Sequence, residues 1–211
     1  MHGDTPVDGR RARRDRNRQA IVDAAFALIL EGKGPPSVDA VAERAGVSVS
    51  SVFRNFDGLV DLQQQALELF AERYSHLLSA APAPGTDLDG RIAWFVDNRL
   101  ALYRRAHPLL AMARARAFDH DTLVEAVARN RSTLADQAST CFAPELAALA
   151  PTDAADLVAI IDSLTSPEGF ELMTRTHART PEQIASAWTS ALRTLIDCSR
   201  GLTPGEIRGE R

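Results

Sequence analysis

The sequence predicts an all-α protein, with an N-terminal three-helix head followed by a larger helical body. Three observations predict it. Apolar residues recur at helical spacing along most of the chain. Alternating β-branched runs are absent, although 45% of the residues are hydrophobic. Proline, glycine and capping residues interrupt the pattern at intervals that suit helices of ordinary length. The 211 residues are enough for one small head and one larger domain with a sizeable core.

Residues 1–14 read as a basic arm. The opening MHGDTPVDG is rich in turn formers and is expected to be disordered. Arg10, Arg11, Arg13, Arg14, Arg16 and Arg18 then face a single acidic neighbour, Asp15. A flexible basic arm suits phosphate neutralisation or insertion into a minor groove. Taken alone it is equally a solvated tail.

The head is expected over residues 15–58, beginning with a helix that contains RQAIVDAAFALILEGKG. The segment Ser37–Phe56, SVDAVAERAGVSVSSVFRNF, reads as two short helices joined by a tight turn. Val38, Val41, Ala42 and Ala45 give the first helix an apolar stripe. Gly46 follows where a helix end favours a positive φ. Val47 plugs the turn and Ser48 can cap the next helix. The inward side of that helix is expected to be Val52, Phe53 and Phe56, which leaves Ser50, Ser51, Arg54 and Asn55 outside. Short residues plus Arg and Asn suit a helix entering the major groove. An ordinary antiparallel helix pair is the alternative, and the neighbouring arginines favour DNA binding over it.

From helix 1 through DGLVDLQQQAL, over about residues 16–62, the chain resembles the tetracycline-repressor (TetR) family of bacterial transcription regulators. The resemblance implies a homodimer with two DNA-binding heads. It also implies a helical body that dimerises and encloses a pocket for a small-molecule inducer. Two positions depart from the family pattern. Phe53 stands where members usually carry a Tyr that reaches a phosphate, and Leu59 where they usually carry Lys. Both changes delete a polar tip, which lowers affinity and flattens its salt dependence, each phosphate contributing about 0.9 to the slope. The expected DNA contacts are Arg14, Arg16 and Arg18 from the arm, then Ser37, Ser48, Ser51 and Asn55 to phosphates. Arg54 is expected at a base or phosphate, and Val49, Ser50 and Phe53 close to the DNA.

The body is expected over residues 59–211. A long helix from about Leu59 to Ala80 would connect it to the head, and the linker APAPGT would end it. A helix from Asp87 to Ala106 follows, then a short one from Pro108 to Phe118. A further helix, capped by Asp119, runs from about His120 to Thr140, and APELAALAP forms a loop or single turn. One more begins near Thr152 and is interrupted at Ser166-Pro167. The last opens with Thr180-Pro181-Glu182-Gln183, a capping box. Its residues Ile184, Ala187, Trp188, Ala191 and Leu195 are the expected dimer interface, since the resembled family pairs its last two helices across a two-fold axis. Packing within one subunit is the alternative. Candidate pocket residues are Phe70, Tyr74, Trp94, Phe95, Met112, Arg116, Phe170, Met173 and His177, most of which would serve any core equally well.

Net charge is −4, with nine Lys/Arg against eight Asp/Glu in residues 1–60 and fifteen against twenty in the rest. An acidic body repels DNA and leaves the arm and recognition helix as the attractive face. HExxH, GxSxG, GxGxxG and phosphate-loop motifs are absent, so no enzyme is expected. The five histidines fall at no metal-ligand spacing, and neither metal nor cofactor is expected. Cys141 and Cys198 read as isolated, inert core residues. No stretch approaches a membrane span or a signal peptide, so a cytoplasmic protein is expected. These readings give a ligand-responsive repressor that binds a palindromic operator as a dimer and is released by an inducer. The alternative is a small-molecule or protein-binding module on the same fold with weakened DNA binding.

Overall fold

The structure, a computed structural model, describes residues 6–32, 34–78 and 80–201. Every regular element among them is helical, in accord with the all-α expectation. The chain divides into two compact units, the first built from residues up to Arg73 together with Pro108–Ala128, the second from Tyr74–His107 and Arg129 onward.

The first unit begins with α1 (Pro6–Leu30), α2 (Val38–Ala45), α3 (Val49–Asn55) and α4 (Leu59–Arg73). Ile21, Val22, Ala24 and Ala25 of α1 form its core with Val41, Ala42, Val52, Phe56 and Leu62. Val38, Ala45 and Val47 pack against that core, as the spacing predicts. Ser37 caps α2 by accepting the Ala40 amide at 3.2 Å. Gly46 ends α2 at φ 66°, ψ 33°, the left-handed region where a Cβ would be strained. Its neighbour Val47 donates to the Ala42 carbonyl at 3.0 Å, closing the turn.

Two expectations for this unit are corrected. The arginines stand on a helix, because α1 starts at Pro6 rather than after the basic run. Proline suits the first turn of a helix and arginine is a good helix former, so the charge run does not end the helix. Residues 1–5 of the expected arm lie outside the described residues. The second correction concerns Phe53, which is 59% exposed and not on the inward side. Val52 and Phe56, four residues apart, fill the single inward stripe a seven-residue helix offers, and Phe53 projects about 100° away from Val52.

In the second unit, α5 (Ser75–Leu78) replaces the end of the expected long helix, which breaks at Tyr74. The carbonyl of Leu77 accepts from Asn98 at 2.7 Å and from Gln137 at 2.8 Å, and Gln137 also reaches the Ala80 carbonyl. Side chains therefore satisfy carbonyls that a continuing helix would have used. The helix α6 (Leu88–Ala117), which belongs to the second unit up to His107 and to the first unit from Pro108, runs through that proline, where two helices were expected. Proline lacks the amide that would bond to the Arg104 carbonyl. Burial of Leu109, Leu110, Met112 and Ala113 just beyond it holds the helical path. The following helix α7 (Asp121–Cys141) starts with the His120 carbonyl accepting from Leu123 and Val124, so Asp119 is not its cap.

The remaining helices are α8 (Ala143–Leu146), α9 (Pro151–Leu164), α10 (Pro167–Glu171) and α11 (Pro181–Gly201), with a π-turn at Leu172–Thr176 after α10. Ser166 caps α10 through the Gly169 amide at 2.9 Å. The capping box forms as the sequence predicts: Gln183 donates its amide to Thr180 Oγ1, and Gln183 Oε1 accepts the Thr180 amide at 3.0 Å.

Candidate nucleic-acid interface

The candidate site is the outer side of α3. Ser48 caps this helix through the Ser51 amide at 3.3 Å, and its hydroxyl lies 3.0 Å from that of Ser50 and 2.9 Å from that of Ser51. Arg54 Nη2 donates to Ser51 Oγ at 2.7 Å, which holds the guanidinium along the helix. Asn55 Nδ2 donates to the Ser51 carbonyl at 2.7 Å. The predicted polar residues therefore form one connected network with Ser51 at its centre. Val49 and Phe53 stand exposed beside it, one helical turn apart.

Arg18 ties α1 to this helix. Its Nη1 donates to the Asn55 carbonyl at 2.6 Å, and its guanidinium lies 4.5 Å from the centre of the Phe56 ring. An otherwise unpaired carbonyl at the end of α3 is thereby satisfied by a cation, the favourable sign at a helix C-terminus. Arg18 was expected at the DNA, on a phosphate or in the minor groove; the structure shows its guanidinium part-buried against α3. Arg14 is exposed one turn earlier on the same side of α1. Arg16, also exposed, projects to nearly the opposite side and does not join them. Ser37 lies at the start of α2 with its hydroxyl exposed.

Two short helices joined at a left-handed glycine, the second capped by serine and carrying small and basic residues outward, form a helix-turn-helix. No family model matches the chain and no curated protein matches it in sequence. Solved structures match its fold. A transcriptional regulator from Rhodococcus sp. RHA1 superposes with a TM-score of 0.63 at 21% identity, over 88% of this chain and 99% of that one. A TetR-family transcriptional regulator from Rhodococcus sp. gives 0.63 at 19% identity, over 86% and 99% of the two chains. A multidrug-binding protein, EbrR, complexed with imidazole gives 0.59 at 21% identity, over 84% and 93%. The fold is that of the TetR-family regulators.

Within this TetR-type fold the expected pocket residues are divided between the two units. Phe70, Met112 and Arg116 belong to the first unit, and Tyr74, Trp94, Phe95, Phe170, Met173 and His177 to the second. Phe95 has no exposed surface and packs edge-on to Phe142 at 5.3 Å, so it is core. Phe170 is buried against Tyr103 at 5.5 Å and His107 at 5.7 Å. Trp94, Tyr74 and Met173 are half-buried and His177 is exposed.

A buried polar cluster in the second unit joins Tyr103, expected inward from the sequence, to Arg99, Asp162 and Thr165, which were not among the expected residues. Arg99 is completely buried; its Nη2 donates to the Leu134 carbonyl at 2.6 Å and approaches Asp162 at 3.4 Å, with the Phe95 ring 4.8 Å away. Tyr103 donates to the Thr165 carbonyl at 2.7 Å, its phenol pushed up to about 12 by burial. The signal is present in the sequence, since Arg99 sits four residues after Phe95 and four before Tyr103, on a core stripe.

Burial also raises the carboxyl of Asp162, with Arg99 pulling the other way. Folding therefore takes up a proton at Asp162, and its contribution to stability falls as pH rises from about 4 through the raised value. Urea midpoints measured across that window are expected to decline less steeply in Asp162→Asn than in the parent. An unchanged slope would place the titration elsewhere.

The expected dimer residues also separate. Ile184 and Trp188 are buried within the subunit, in line with Leu192 and Ile196, and so cannot form a dimer surface. The 3.6-residue period gives α11 one inward stripe at four-residue spacing. It leaves Ala187 exposed and Ala191 and Leu195 half-buried on another side. Among the described residues no three His, Cys, Asp or Glu side chains converge as a metal site, and no helix is long and apolar enough to cross a membrane.

Proposed function

We propose that this protein is a DNA-binding transcription regulator whose α3 helices, paired in a homodimer, enter successive major grooves of a palindromic operator. The observation that carries this reading is the α3 outer side: a serine cap, a Ser51-centred polar network and an exposed Arg54 on a helix held by Arg18. Such a helix approaches base edges with short side chains and positions itself on phosphates with hydroxyls. Ser37, Ser48, Ser51 and Asn55 are the proposed phosphate contacts, Arg54 a base or phosphate contact, and Arg14 a phosphate contact from α1.

Dimerisation is assigned to α9 and the side of α11 that carries Ala187, Ala191 and Leu195, where small residues allow close helix approach. A small-molecule inducer is assigned to the body, and the multidrug-binding neighbour supports ligand responsiveness. Inducer binding shifts the heads only by its differential affinity for the two states of the dimer. Release of DNA on ligand binding makes the protein a repressor, resident in the cytoplasm. Phe53 and Leu59 favour one other reading, a ligand- or protein-binding module that has lost specific DNA binding.

Fluorescence anisotropy separates the two readings. Duplexes from around the protein's own gene, titrated at two salt concentrations beside a scrambled duplex, should show selective binding at one dimer per site. Affinity should fall with salt, each neutralised phosphate adding about 0.9 to the logarithmic slope. Equal, salt-labile binding to both duplexes, together with a failed selection from random DNA, would favour the module.

A further inference from the structure

We propose that Val49 and Phe53 form an apolar reading edge that recognises thymine 5-methyl groups in the operator. The inference rests on the DNA-binding reading above and names the base chemistry that its recognition helix selects.

Val49 is 37% exposed and Phe53 59% exposed, and four-residue spacing stacks them on one side of α3. Neither is needed for the core of the head, which Val52 and Phe56 supply from the adjacent stripe. The polar residues beside them are engaged with one another through Ser48, Ser51, Arg54 and Asn55. Phe53 has no hydroxyl and so cannot donate to a phosphate. What it offers the DNA is apolar surface. Among the base edges of the major groove the thymine methyl is the one apolar group, and the minor groove presents none. A Val–Phe pair one helical turn long therefore selects A·T pairs whose methyl groups fall along that edge, while Arg54 covers hydrogen-bonding bases next to it. The exposed phenylalanine then adds specificity where a tyrosine would add a sequence-independent contact.

The test uses the duplex recovered by selection from random DNA. Each dT in a half-site is replaced singly by dU, which removes only the methyl group. Loss of one buried methyl is expected to weaken binding about fourfold, from roughly 0.8 kcal/mol per carbon buried. One or two positions per half-site should show this loss. In Phe53→Ala, binding to the parent duplex should weaken by at least as much, and the dU penalty at its position should vanish; Val49→Ala should do the same at the neighbouring position. Both side chains are exposed, and unchanged thermal midpoints will establish that the variants fold. If selective binding is present but every dU duplex binds like its parent, or if the penalties persist in both variants, the methyl-reading proposal is overturned and the regulator reading stands. If selection yields no preferred duplex, both fall together.

Discussion

Replacing Glu145 with alanine is expected to destabilise the second unit by about 3 kcal/mol or more, the usual cost of removing one partner from a buried ion pair. Glu145 is 2% exposed on α8, a helix of only four residues. Its Oε1 accepts from Arg91 near the start of α6, and from Arg200 near the end of α11 at 2.8 Å. One carboxylate thus joins three helices distant in sequence. Without it Arg91, whose side chain is 12% exposed, keeps its charge in a poorly hydrated place, whereas Arg200 is 46% exposed and can turn to water. Most of the cost therefore falls on Arg91. Glu145→Gln retains an acceptor and should cost less, and Glu145→Ala combined with Arg91→Met should recover part of the loss. Urea denaturation followed by circular dichroism reads all three. A Glu145→Ala midpoint equal to the parent would mean that the α6–α8–α11 junction does not depend on this carboxylate.

Arg54→Ala is expected to lose about 1–3 kcal/mol of operator binding, with specificity relaxed at one base step if the contact is to a base. The side chain is exposed, so folding should be unaffected. Ser51 tests how the guanidinium is positioned. Its hydroxyl accepts from Arg54 at 2.7 Å, and Ser51→Ala frees that rotamer and should weaken binding by less than Arg54→Ala does. Anisotropy against the selected duplex and its single-base variants distinguishes the outcomes. A uniform loss across all variants assigns Arg54 to a phosphate, and a loss confined to one step assigns it to a base. No loss at all would remove Arg54 from the interface.

The parts of the fold that local chemistry controls are legible in the sequence. The Ser37 and Ser48 caps, the Gly46 turn and the Thr180–Gln183 box each depend on residues within a few positions of one another. What tertiary contacts decide is not legible there. The end of the helical run at Leu78 accompanies Asn98 and Gln137, which reach the Leu77 carbonyl from distant parts of the sequence. Continuation of α6 through Pro108 accompanies burial of the residues beyond it. Hydrophobicity alone assigns Phe53 inward, whereas the helix period admits only Val52 and Phe56. The family resemblance, rather than hydrophobicity, places Ile184 and Trp188 on a dimer surface, whereas both are buried within the subunit. In the candidate site, residue identities are readable, and Arg18 shows the limit. Its charge points to DNA, and only the structure shows it engaged by the Asn55 carbonyl and the Phe56 ring.

Whether α3 reads sequence is decided by selection of random-sequence duplexes with the full-length protein. Enrichment of one palindrome is expected, with A·T pairs at fixed places in each half-site and half-sites about one helical turn, or a multiple of it, apart. An unenriched pool after repeated rounds, from protein shown to be folded, would contradict a sequence-reading role for α3.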